Sequence, residues 1–279
     1  MSRSSIKKYR VAGVYRVELK PMDYKENYEG LIPEGSFRIS PSSVSKFADK
    51  KWEWYRSQVL GLEVFAGNFY SVLGSCVHRI AESYTKLRKV DKEELYAYID
   101  KSECITDEEK ERIKEQMIPM GQALIDYLRV HGIPEKSEDT ICTKILPGVY
   151  VAGTADALIG DTIVDYKTTS KTTPDDYIPM HYKWQLLTYA WVYRKLGIDV
   201  TRMRIVWITQ NVVGRISEKT GKPMKDYPSQ VVPVTELITD DDMEFIEQYL
   251  KLIAETYLKA KECPELTYLL YSDYRLKEA

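Results

Sequence analysis

Residues 149–167 read VYVAGTADALIGDTIVDYK, and this stretch decides the fold. Two apolar, β-branched runs, Val149 to Ile159 and Thr162 to Tyr166, flank the dipeptide Gly160-Asp161. A connection this short between such runs marks a β-hairpin. A third run, Thr140 to Leu146, precedes them across Pro147-Gly148, so three consecutive antiparallel strands are expected. Side chains alternate along a strand, which puts Asp165 and Lys167 on one face and Tyr166 on the other. Asp156 lies on the preceding strand, and the tight turn at Gly160-Asp161 brings it beside Asp165. Two carboxylates and an ammonium thus converge.

Adjacent carboxylates repel and tend to keep a proton unless a cation joins them. Hard oxygen ligands suit Mg²⁺ or Mn²⁺, and such an ion organises phosphate and acidifies water. A lysine beside it supplies a compact positive charge for the water or for a pentacovalent phosphorus. Asp-x-Lys by itself is common: it recurs at Asp23-Tyr24-Lys25 and Asp49-Lys50-Lys51. Only the copy at 165–167 sits in a hairpin with an upstream Gly-x-x-Asp, Gly153 to Asp156.

Outward from the hairpin, the chain alternates helices with strands. Ser40-Pro41 opens a helix, since serine caps and proline suits the first helical position. Val44, Phe47, Trp52, Trp54 and Tyr55 give it an aromatic body, and Gly61 closes it. A second helix, about Tyr70 to Leu87, places His78 and Glu82 four residues apart on one face. Residues 92–131 are charged and helical, with Thr106 and Glu109 as a capping box, and read as a helical insert over about residues 90–135 ended by Gly132 and Pro134. After the hairpin come a helix from Tyr182 to Leu196, carrying Gln185 and Tyr189 four apart, and a strand from Val200 to Gln210. A polar loop, Gly214 to Asp226, a short strand from Gln230 to Val234 and a helix from Asp240 to Lys261 complete it. The expected class is α/β (α+β), a mixed central sheet flanked by helices. Residues 1–38 read as an N-terminal extension and 39–279 as one domain.

Of 279 residues, 44% are hydrophobic and 29% charged, enough for a sizeable core and too apolar for a mainly disordered chain. No apolar run approaches the roughly 20 residues of a membrane helix, so no membrane is expected as a partner. Lys+Arg 40 against Asp+Glu 42 excludes a wholly basic coat and leaves a local basic groove as the route to a polyanion. Cys76, Cys104, Cys142 and Cys263 are scattered without a CxxC pair, which points to reduced thiols in a cytoplasmic, intracellular protein. Arg3, Lys7, Lys8, Arg10 and Arg16 also suit a mitochondrial transit peptide, although Val11, Val14 and Val17 beside Tyr9 and Tyr15 suit a strand equally.

Alone, the His78–Glu82 pair reads as a surface pair or a satisfied core histidine, and Gln185–Tyr189 as an aromatic core face. In this order, however, His78, Gly153-x-x-Asp156, Asp165-x-Lys167 and Gln185-x-x-x-Tyr189 resemble the PD-(D/E)XK nuclease superfamily, within it the RecB-like exonuclease branch. The Ile39-Ser40-Pro41-Ser42-Ser43 helix start is similar to that of the branch. The resemblance implies a restriction-endonuclease-like fold and a Mg²⁺- or Mn²⁺-dependent deoxyribonuclease. It implies His78, Asp156, Asp165 and the Tyr166 backbone carbonyl as metal ligands, with Glu82 either bracing His78 or serving a second metal. Lys167 then assists the attacking water, and Gln185 and Tyr189 line the site. The implied substrate is DNA, at ends or as single strands, in repair, recombination or phage DNA processing, with a helicase or recombination protein as a separate partner. A structure-specific or restriction-like endonuclease and a catalytically inactive DNA-binding subunit share the same core. Relatives with an iron–sulfur cluster place a cysteine after the first helix start; here that region reads Phe47-Ala48-Asp49-Lys50-Lys51, and near the C-terminus only Cys263 remains, so no cluster is expected.

Overall fold

A computed structural model describes residues 8–11, 14–17, 28, 30–62, 67–214, 216, 217 and 219–263. Strands β1 (Lys8–Val11) and β2 (Val14–Val17) pair antiparallel. The Asp23-Tyr24-Lys25 tripeptide and the tail beyond Cys263 lie outside the described residues. Strand β3 (Phe37–Ile39) leads into α1 (Pro41–Asp49), whose Ser40 cap exchanges hydrogen bonds with Ser43 and whose first position is proline. The continuous helix expected up to Gly61 breaks at Lys50, which leaves the helical region at φ −140°. It resumes as α2 (Lys51–Trp54) and then widens into a π-turn over Tyr55–Val59, with Leu60 N–H donating to the Tyr55 carbonyl. Trp54, Tyr55 and Val59 are all buried there.

Then follow α3 (Phe69–Leu87), α4 (Lys92–Asp100), α5 (Asp107–His131), β4 (Lys136–Leu146), β5 (Val149–Ile159), β6 (Thr162–Thr169), α6 (Met180–Lys195), β7 (Arg202–Thr209), β8 (Val231–Leu237) and α7 (Asp240–Glu262). The expected capping box at Thr106–Glu109 forms, and Asn68 and Thr239 cap α3 and α7 in the same way. Six strands make one mixed sheet, β3-β5-β6-β7-β8, with β4 on the far edge of β5. Alternation along the central strands sorts the core into two layers. Ile163, Met203, Ile205 and Trp207 join α1, α6 and α7, whereas Val164, Tyr166, Val206 and Ile208 join α3, α4 and α5. Helices α4 and α5, from the stretch read as an insert, bury Leu95, Ile99, Ile113, Met117 and Leu124 in that second layer.

One edge of β5 is shared. It pairs parallel with β3 over Val149–Val151 and antiparallel with β6 over Ala157–Ile159. Between them the edge is open, and buried backbone groups there need other partners. Side chains supply them: Arg38 donates to the Ala152 carbonyl and Tyr189 to the Thr154 carbonyl. Gly153 lies in the gap, where a Cβ would come within 2.7 Å of the Pro41 ring and 3.0 Å of the Tyr189 ring. The glycine therefore lets α1 and α6 close onto the strand.

Candidate active site

The open edge of β5 is where the hairpin residues meet. The Ala157–Val164 pairing leaves Asp156 and Asp165 next in line across the two strands, but the ladder has ended there. Instead the Asp156 carboxylate accepts the Tyr166 N–H at 2.8 Å, and the His78 Nε2–H, arriving from α3, donates to the Tyr166 carbonyl at 2.8 Å. The backbone of the middle residue of Asp-x-Lys is thus held at both ends by candidate site residues. The Tyr166 ring points into the opposite core layer, as alternation requires.

Nδ1 of His78 faces Asp156 Oδ1 at 3.3 Å and Glu138 Oε1 at 3.9 Å. With Nε2 donating to a carbonyl and Nδ1 facing two carboxylates, the ring carries both protons. Burial opposes that charge, but the neighbouring Asp156 and Glu138 carboxylates outweigh it and push the imidazole up to about 10. Asp156 is held below the usual carboxylate range, since His78, Lys167 and the Tyr166 N–H outweigh its burial.

Asp165 is 2% exposed. Its Oδ1 accepts from Lys167 Nζ at 2.9 Å and from Gln185 Nε2 at 3.4 Å. Its Oδ2 lies 2.8 Å from the same ammonium, out of line for a hydrogen bond, and is otherwise unpartnered. Burial pushes the Asp165 carboxyl up; Lys167 opposes this and the Asp156 charge adds to it. Lys167 stays charged, because Asp165 and Asp156 outweigh the cost of burying it. The Tyr182 ring, centred 5.2 Å from Nζ, covers the ammonium.

Alternation and the tight turn thus bring Asp156, Asp165 and Lys167 together, and α3 and α6 deliver His78 and Gln185. Tyr189 touches the Thr154 carbonyl at 2.7 Å and braces the strand that carries Asp156. Glu82 pairs with Lys86 at 2.6 Å and lines, with Gly74, His78, Arg79 and Glu138, a cavity of about 550 Å³.

Glu138 is the residue that sequence reasoning missed. Its carboxylate, His78 and Asp156 offer ligand atoms all within 4.8 Å of one another, the one such group among the described residues. It lies on β4 between the pairs Ser137–Ala157 and Asp139–Ala155, so Glu138, Asp156 and Asp165 form a row across three strands. Its φ of +50° is left-handed, a conformation that costs a non-glycine residue about 1–3 kcal/mol and clusters at functional sites. The signal in the sequence was Glu138 itself, a carboxylate just before the expected strand start.

The chemistry of the donor set fits a divalent cation: His78 and the carboxylates of Glu138 and Asp156 form one close group, and Asp165, outside that group, adds a buried carboxylate oxygen without a hydrogen bond. The cysteines sit on separate elements: Cys76 in the core with its thiol pushed up to about 12 by burial, Cys104 between α4 and α5, Cys142 on β4 and Cys263 at the end of α7.

A mixed sheet between two helical layers, with Asp, Asp and Lys at a strand gap, defines a nuclease-type core. The PD-(D/E)XK nuclease superfamily model matches residues 38–266, and the chain belongs to that superfamily. Among solved structures, the chain is similar to a candidate exonuclease from Eubacterium rectale, at 13% identity, a TM-score of 0.52 and 88% coverage of both chains. It also matches a phage-related exonuclease from Haemophilus somnus, at 13% identity, a TM-score of 0.34 and coverage of 79% of this chain and 96% of that one. An alkaline exonuclease from Laribacter hongkongensis matches at 13% identity and a TM-score of 0.32, over 74% of this chain and 98% of that one. No curated protein matches the chain. Among the described residues no helix is long and apolar enough to cross a membrane.

Proposed function

We propose that this protein is a Mg²⁺- or Mn²⁺-dependent deoxyribonuclease that hydrolyses phosphodiester bonds from DNA ends, acting in repair, recombination or phage DNA processing. The observation that carries the reading is the convergence of His78, Asp156, Asp165 and Lys167 at the open edge of β5. The description of the Eubacterium rectale structure as a candidate exonuclease supports the choice of ends over internal sites.

His78, on giving up its Nδ1 proton, would hold the cation with Asp156 and Asp165, with Glu138 and the Tyr166 carbonyl beside them. Bound there, it would neutralise the scissile phosphate and lower the pKa of a water nucleophile. The protein's own residues do the rest. Asp165, with Gln185 on its Oδ1, fixes the Lys167 ammonium at the site. Lys167 places a permanent positive charge where a pentacovalent phosphorus develops negative charge. Tyr182 covers that ammonium and excludes water from one side, which strengthens its field. Tyr189 and Gly153 hold the Asp156 strand against α1 and α6, so the two aspartates keep their spacing.

The test is incubation with end-labelled linear DNA and covalently closed circular DNA, each with Mg²⁺, Mn²⁺ or EDTA. Loss of linear DNA with sparing of circles, abolished by EDTA, is the expected result. Cleavage of circles at a comparable rate would replace the reading with an endonuclease, and no cleavage of either would leave a DNA-binding subunit.

A further inference from the structure

A second cavity, of about 220 Å³, opens on the opposite side of the β6 end from the His78 cavity. Its lining includes Thr168, Tyr182 and Trp207, which adjoin Lys167. In the β6–β7 register Lys167 stands opposite Trp207, and the Tyr182 ring meets both, 5.2 Å from the Lys167 ammonium and 5.6 Å edge-on to the Trp207 ring. Both aromatic residues line the cavity, their rings crossed at 71°. Lys171, Asp175 and His181 are also part of the lining.

The charge in this cavity is spent. Lys171 is tied to both oxygens of Asp175 at 2.8 and 2.9 Å. Burial holds the His181 ring below its ordinary range. The wall therefore offers no free cation for a phosphate. It offers aromatic surface, chiefly that of Tyr182, since Trp207 is buried. Trp184, by contrast, stacks on Tyr249 in the core and takes no part.

We propose that this cavity is a nucleobase subsite, which takes the unpaired base of the nucleotide next to the scissile phosphate. The inference rests on the nuclease reading, because the phosphate must lie at Lys167. The aromatic wall suits any base face, because stacking is sequence-tolerant, and the neutral polar rim suits base edges. A base inside a duplex cannot enter, so the subsite favours single strands and frayed ends.

The test is binding of a fluorescently labelled single-stranded oligonucleotide in Ca²⁺, compared with the same oligonucleotide carrying an abasic residue at one end or the other. Wild-type protein is expected to lose about tenfold in affinity for an abasic residue at one of the two ends, within the range for stacking one base on an aromatic ring. Tyr182→Leu should lose about tenfold on the intact oligonucleotide and nothing further on the abasic one, and Tyr182→Phe should restore wild-type behaviour. An abasic penalty absent from the wild type overturns the subsite without recourse to any variant. An equal penalty in wild type and Tyr182→Leu overturns the aromatic wall as its cause, since independent effects add. Base-dependent binding without cleavage would sink the exonuclease reading and leave a base-binding cavity in a DNA-binding subunit; cleavage without base dependence would overturn the subsite and keep the exonuclease.

Discussion

Replacing Gly153 with alanine tests what the glycine of Gly-x-x-Asp is for. The added Cβ would lie 2.7 Å from Pro41 Cδ, 2.9 Å from Pro41 Cγ and 3.0 Å from Tyr189 Cε1. Both neighbours are rings that cannot swing aside. Pro41 is locked into the capped first turn of α1, and Tyr189 is anchored through its hydroxyl to the Thr154 carbonyl at 2.7 Å. Overpacking of this kind costs about 1–3 kcal/mol. The same substitution at Gly74, in the middle of α3, has an opposite sign. There the nearest atom to the new Cβ is Thr168 Oγ1 at 3.7 Å, ordinary contact, and alanine is better than glycine in a helix by about 0.5–1 kcal/mol. The unfolded-state benefit of Gly→Ala is common to both sites and cancels in the comparison. Urea unfolding followed by circular dichroism should therefore move the midpoint down for Gly153→Ala and up for Gly74→Ala at unchanged m-value. Tm should follow at about 2–4 °C per kcal/mol. Wild-type stability in Gly153→Ala would refute the steric account of the motif glycine.

Asp165→Asn and Lys167→Ala should abolish cleavage while circular dichroism stays native, and the same changes at Asp23 and Lys25 should leave activity intact. Equal losses from both tripeptides would show that the wrong Asp-x-Lys has been assigned. Glu138→Gln should weaken Mn²⁺ binding at least tenfold by calorimetry, as His78→Ala should; unchanged affinity would remove Glu138 from the cation site. Glu247 is held down to about 2 by hydrogen bonds from Lys195, Lys251 and the Trp191 indole. A depressed carboxyl stabilises the fold above its unfolded value, so its contribution is present at neutral pH and is lost as pH falls from about 4.5 towards 2. Glu247→Gln should therefore flatten the stability curve in that window, and curves that stay parallel to wild type would show the network contributes nothing.

The strand plan was legible because its signals are local. Two-residue alternation and the Gly160-Asp161 turn put Asp156 opposite Asp165 with Lys167 on the same face, and the capping residues Ser40 and Thr106 marked two helix starts. The break at Lys50 was not legible, because nothing between Pro41 and Gly61 signals a stop; Trp54 and Tyr55 are both buried where the π-turn begins. Glu138 was hidden for a related reason. Counting back from Pro147-Gly148 in a regular hairpin puts Asp139 opposite Asp156. A register shift between Lys144 and Leu146 moves the pairing by one residue and brings Glu138 into that place. A one-residue slip turns every side chain to the other face, so Asp139 bonds to Lys136 and Tyr193 instead. Sequence alone thus determined the hairpin, its two aspartates and its lysine, since these follow from period and turn type. Only the tertiary structure decided which third carboxylate joins them, that the β5 edge stands open, and that Trp207 and Tyr182 line the same cavity, because each depends on contacts between segments far apart in the chain.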